Sequence, residues 1–137
     1  MDQHQIKVQA QTFIAALHGI ENDEPASVDQ IADLFAENAE LTNPAIDREG
    51  SSRVGRAQIA GFWKSYRASF REIHSEFFEI TASDRAAGLF WRSTGAHITG
   101  EPVAYEGVSL LDFDDSGKIV RFKGFYDSHQ VVTKVAA

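Results

Sequence analysis

The hydrophobic period of this chain turns from mainly helical to β after Arg71, and that change sets the fold class. Before it, apolar residues recur every three or four positions. Ile6, Ala10, Phe13, Ile14, Leu17 and Ile20 share one face of a helix predicted over about residues 3–21. The acidic stretch Glu21–Glu24 with Pro25 ends it. Ser27 opens a second helix, with Gln30 at capping-box spacing and Val28, Ile31, Leu34 and Phe35 as its inner stripe. A short strand is predicted over 39–43, and the polar run 44–55 reads as a loop. A third helix follows over about 56–70, carrying Ile59, Phe62, Trp63, Tyr66 and Phe70 along one side.

After Arg71 the pattern becomes β. Stretches at 72–84, 85–99, 103–113 and 118–127 read as four long strands. "GEP" (100–102) is a turn, and "DDSG" (114–117) is a tight hairpin with Gly117 free to take positive φ. Three helices followed by hairpin-linked strands make an α+β fold. The helices need an apolar surface to cover, and a strongly curved antiparallel sheet provides one. Such a sheet closed by helices leaves a cone-shaped hollow. On the last strand, Val120, Phe122, Gly124 and Tyr126 alternate onto the face better suited to the helices. With 137 residues and no Pro/Gly/Ser-rich linker, one domain over 1–137 is expected, with a core at about 5–128 and a tail from 129.

Composition narrows the function. The net charge is −7, so a phosphate backbone or an acidic membrane would be repelled without a local basic patch. Arg53, Arg56, Lys64, Arg67 and Arg71 spread over one helix and its flanks, a solvated face. Cysteine is absent, which removes disulfides, thiol nucleophiles and Cys-zinc sites. His18, His74, His97 and His129 form no metal-ligand spacing, so no metal is expected. "DFDDSG" lacks the ligand pattern of a calcium loop. No apolar run reaches the ~18–20 residues of a membrane span. The polar amino end lacks the apolar segment of a signal peptide, so a cytoplasmic protein is expected.

Four motifs, "FIAALHGIE", "IADLFAENAELTNP", "VGRAQIAGFW" and "LLDFDDSGKIVRFKGFYD", occur in that order. Together they resemble the nuclear transport factor 2-like superfamily, in its SnoaL-like polyketide cyclase and ketosteroid isomerase-like branch. The resemblance implies a cone-shaped fold, three N-terminal helices on a curved sheet, and a homodimer through the sheet's outer face. It implies no cofactor. It also sets the isomerase's catalytic positions against this chain. Phe13 stands where the oxyanion-donor Tyr would be, Asn43 where the proton-shuttling Asp would be, and Ser109 where the second donor, an Asp, would be. An amide has no usable basicity, so Asn43 can orient a ligand but not take its proton. This argues against ketosteroid isomerase chemistry.

The epoxide hydrolases of the same superfamily fare no better. Their Asn matches Asn43, but Leu41 takes the Tyr position and Gly124 the last Asp. Their Arg and Asp fall near Thr94 and Ala96, or at Arg92 with a shift of two. SnoaL-like cyclases place an acid on the last strand, where Asp127 is the nearest carboxylate.

The expectation is a protein that binds a small, mostly apolar, oxygen-bearing molecule, with or without cofactor-free isomerase, cyclase or hydratase activity. The alternative is a non-catalytic binding or dimerisation module. Asp127 and Asn43 are the candidate catalytic residues. Phe13, Asn43, Trp63, Tyr66, Arg92, Thr94, Ser109, Phe122 and Tyr126 are the candidate ligand contacts. His97 is a further ionisable group, and Glu76 or Glu106 a partner for Arg92.

Overall fold

Helix α1 (Gln3–Glu21) forms where the periodic stripe predicts it, and Ile6, Ala10, Phe13 and Ile20 are fully buried along it. Its start is held by a reciprocal pair. Asp2 accepts from the Gln5 backbone N–H, and the Gln5 side chain accepts from the Asp2 N–H, each at 2.8 Å. The computed structural model describes residues 1–127; His129 and the expected tail lie outside the described residues.

The chain continues through α2 (Ser27–Ala32), β1 (Phe35–Thr42), α3 (Pro44–Glu49), β2 (Arg53–Val54) and α4 (Arg56–Ala68). Four long strands follow: β3 (Phe70–Ala82), β4 (Ala86–His97), β5 (Pro102–Phe113) and β6 (Ile119–Tyr126). They form one curved, unclosed six-stranded sheet in the order β2-β1-β6-β5-β4-β3. Helices α1 and α4 lie against its inner face, and the main apolar cluster fills the space between.

Four local expectations are corrected. Ser27 is the first helical residue of α2 rather than its cap; Ala26 precedes it in a left-handed conformation without a side-chain cap bond. Phe35 belongs to β1, not to α2. Parallel pairing of Phe35 with Ile119 draws it into the sheet, and tertiary pairing overrides its helical spacing. That pair also makes the sheet mixed rather than wholly antiparallel. Phe70 leaves α4 for β3 for the same reason, pairing with His97. The supposed loop 44–55 contains the short helix α3 and strand β2.

Irregularities in the ladder decide which side chains look inward. The β3–β4 register shifts between Phe77 and Glu79, so Phe78 sits as a bulge, 47% exposed. Ser75 and Phe77 face inward before the bulge, Ile80 and Ala82 after it. On β4 the inward set is Ala87, Leu89, Trp91 and Ser93, all buried. Arg92 and Thr94 therefore point outward. Arg92 lies between Glu76 and Glu106 at 3.7 and 3.4 Å, over the Phe78 ring. Its pairing is the one expected; its place in a cavity is not.

Candidate functional site

Residues 40–44 read Glu-Leu-Thr-Asn-Pro, and their local chemistry builds one end of a cavity. Strand β1 stops at Thr42. Asn43 caps α3, its Oδ1 accepting from the Ile46 N–H at 2.9 Å. Pro44 takes the first helical position, where its missing N–H is no loss. The capping bond fixes the carboxamide. Its oxygen is engaged, and its NH2 makes no hydrogen bond to the described residues. Asn43 is buried and lines the cavity.

The hollow lies between α1, α4 and the inner sheet face. It offers about 80 Å³ to the centre of a water-sized sphere, several times the ~10–15 Å³ that admits one water. Phe13 from α1, Trp63 and Tyr66 from α4, and Phe122 and Tyr126 from β6 line it. Ser109 and Asn43 complete the part anticipated from sequence. Phe13, Trp63 and Phe122 meet with ring centroids 5.6–5.9 Å apart.

Cross-strand register arranges the wall in three rows. One row is Ser75, Ser93 and Tyr105; the next is Phe77, Trp91, Gly107 and Tyr126; the last is Leu89, Ser109 and Gly124. Asn43 adjoins the last row, because a Cβ on Gly124 would stand 3.4 Å from Asn43 Cβ. Ser109 Oγ accepts from Trp91 Nε1 at 3.0 Å, which holds the indole and leaves the Ser109 hydroxyl a proton to donate. Gly107 makes room for that ring. A Cβ there would fall 2.7 Å from Trp91 Cζ2 and 2.4 Å from the Phe125 carbonyl oxygen. Gly107→Ala is accordingly expected to lower stability by about 1–3 kcal/mol. It should also alter the Trp91 near-ultraviolet circular dichroism; urea unfolding and the spectrum check both.

A carboxylate that local sequence presents only as a helix end anchors the first row. Glu21 is 5% exposed. Its Oε1 accepts from the Ser75 N–H at 2.9 Å, and its Oε2 from Ser75 Oγ at 2.6 Å and Tyr66 Oη at 2.9 Å. Ser75 Oγ lies 2.6 Å from Ser93 Oγ. Burial holds the Tyr66 phenol well above its ordinary pKa, and the Glu21 charge adds to this. Burial also raises Tyr105, with Tyr126 and Glu21 adding and the neighbouring Ser93 hydroxyl opposing. Tyr126 is raised by burial, with Arg48 opposing. The three phenols therefore stay neutral at physiological pH.

The remaining candidates lie elsewhere. Arg92 and Thr94 are on the outer face, and Arg92 is 55% exposed. Asp127 is exposed, one residue past Tyr126, and does not line the cavity. His97 stacks on Phe70 at 5.5 Å, away from the hollow. Among the described residues no group of acidic or histidine side chains could hold a metal. No helix there is long and apolar enough to cross a membrane.

A curved sheet roofed by helices around an aromatic hollow is the nuclear transport factor 2-like architecture. Within it, the family profile described as "SnoaL-like domain" matches residues 11–122, and the chain belongs to that family. A candidate SnoaL-like polyketide cyclase from Jannaschia sp. CCS1 superposes with a TM-score of 0.84 at 16% identity, over 98% of this chain and 94% of that one. TerC, co-crystallised with polyporic acid, superposes at 0.76 with 14% identity, over 94% of this chain and 98% of its own. An LEH-like epoxide hydrolase from M. tuberculosis superposes at 0.74 with 13% identity, over 98% and 91%. At these identities the likeness is one of fold. No curated protein matches the chain by sequence.

Proposed function

We propose that the cone holds a small, mostly apolar molecule bearing a carbonyl-like oxygen, seated with that oxygen at Asn43. The observation that carries this reading is the cap-locked carboxamide, which leaves two N–H donors at the end of an aromatic hollow. Aromatic walls with few polar groups are the ordinary composition of a ligand site. Relatives of the same fold include a candidate cyclase and a protein co-crystallised with polyporic acid, which supports a small-molecule role.

Any turnover in the cavity is cofactor-free isomerisation, cyclisation or hydration. Asn43 then orients the substrate oxygen, and Asp127, exposed one residue past the cavity-lining Tyr126, exchanges protons only by turning toward a hollow that it does not line. The second reading is a binding module without turnover. Its support is that no carboxylate, histidine or lysine lines the cavity among the described residues. An Asp127→Asn variant separates the two: catalysis predicts lost turnover with binding kept. We also place the protein in the cytoplasm as a homodimer. Phe78 and Phe125, 47% and 46% exposed on the outer face, supply apolar surface for a second copy. Light scattering on the eluted protein reads the mass directly.

Asn43→Asp tests the binding reading. Aspartate keeps the oxygen that caps α3 and removes both N–H donors. The variant should stay folded yet bind an aromatic ketone such as acetophenone at least about tenfold more weakly, the loss expected when an acceptor goes unpaired. Asn43→Ala should additionally lose about 1 kcal/mol of stability with the cap. Unchanged ketone binding in Asn43→Asp, read by titration calorimetry, would remove Asn43 from the site.

A further inference from the structure

We infer that Glu21 sets the hydrogen-bond polarity of the cavity wall, so that the hollow selects ligands with a hydroxyl donor opposite their carbonyl oxygen. The inference rests on the ligand-holding reading above and names the ligand's second polar group.

Glu21 is filled as an acceptor by one backbone N–H and two hydroxyls. An ionised carboxylate only accepts. The hydroxyl protons of Ser75 and Tyr66 therefore both point at it. Ser75 Oγ has then spent its only proton, so across the 2.6 Å contact Ser93 must be the donor and Ser75 the acceptor. Ser93 is left with lone pairs alone to offer the cavity. The two serine hydroxyls of the row both send their protons toward Glu21. What Tyr66 and Ser93 offer the cavity is acceptor capacity.

The opposite end has the reverse character. There the Asn43 NH2 and the Ser109 hydroxyl, whose oxygen is occupied by Trp91, are donors. From Tyr105 to Ser109 is four residues of β5, roughly 13 Å at a strand's rise per residue. One substituted benzene ring with a hydrogen bond at each end covers such a span. No lysine, arginine or histidine lines the hollow among the described residues. A neutral acceptor placed at the Glu21 end would find the Tyr66 and Ser93 protons already spent toward Glu21, and a buried acceptor left unpaired is costly.

The probes are 4-hydroxyacetophenone and 4-methylacetophenone, matched in size, with a donor replaced by methyl. Binding is followed through the indole N–H shifts of Trp63 and Trp91 in the full-length protein at a pH where the phenol is neutral. The wild type should prefer the hydroxyl compound by about tenfold or more, against the hydrophobic gain of the methyl. In Glu21→Gln the amide donates into the network and reverses part of it, so the preference should fall to within about twofold. Ser93→Ala cuts the row beyond Ser75 and should weaken the preference in the same direction. It serves as the deciding variant if Glu21→Gln does not fold. Equal binding of the two ketones to wild type overturns this inference and leaves the binding reading standing. Binding of neither overturns both. A hydroxyl preference that survives in the folded variants removes Glu21 as its source.

Discussion

Glu21→Leu is expected to destabilise the protein by about 3–5 kcal/mol, although leucine is the more apolar residue at a site only 5% exposed. The charge would go, but its three donors would stay. The Ser75 N–H, the Ser75 hydroxyl and the Tyr66 hydroxyl would lose their acceptor at once. Each stranded group costs about 1–3 kcal/mol, and the losses overlap because Ser75 supplies two of them. Urea unfolding should show a lower midpoint with an unchanged slope, the signature of lost stability without a change in denatured-state compactness. A Leu variant as stable as wild type would show that the network contributes nothing to folding.

Phe13→Ala should cost a similar amount, about 3–5 kcal/mol, for the opposite physical reason. Phe13 is 1% exposed, and its ring meets Trp63 at 5.9 Å and Phe122 at 5.6 Å. Truncation removes the apolar transfer term and joins a new void to the existing cavity. It also takes away two aromatic contacts, each worth about 0.5–1.5 kcal/mol beyond area burial. The added room distinguishes this variant from Glu21→Leu. Bound acetophenone should restore part of the lost stability in Phe13→Ala by filling the void, beyond the stabilisation that binding alone gives Glu21→Leu. Thermal unfolding with and without the ketone reads both.

The sequence made the layered plan legible because most of its elements are long and strongly periodic. Helix α1 and the four strands β3 to β6 follow their apolar spacing to within a few residues. The shorter features were harder. Helix α3 spans only six residues, too few for a stripe, although Asn43 and Pro44 together carry a capping signal. Strand β1 begins at Phe35 because of a partner more than eighty positions away.

The site shows the same division. Phe13, Trp63, Phe122 and Tyr126 reach the cavity as their faces suggest. Arg92 and Thr94 do not, since the inward positions of β4 are the odd ones from Ala87 to Ser93. Which set looks inward depends on the helices above the sheet, and alternation alone is symmetric between faces. Glu21 is the residue that sequence hides most completely. Among Glu21, Asn22, Asp23 and Glu24 it looks like one of several solvated helix-end acids. Its role comes from Ser75, 54 positions on, and Tyr66, 45 positions on. No local pattern encodes such a meeting.

Crystallisation with 4-hydroxyacetophenone reads directly how the hollow seats a ligand with a polar group at each end. Density for one ring is expected in the hollow, its carbonyl oxygen within hydrogen-bond distance of Asn43 Nδ2 and its hydroxyl turned toward Tyr66 and Ser93. Density confined to the outer face, or a ring seated the other way round with its hydroxyl at Asn43, would contradict this seating.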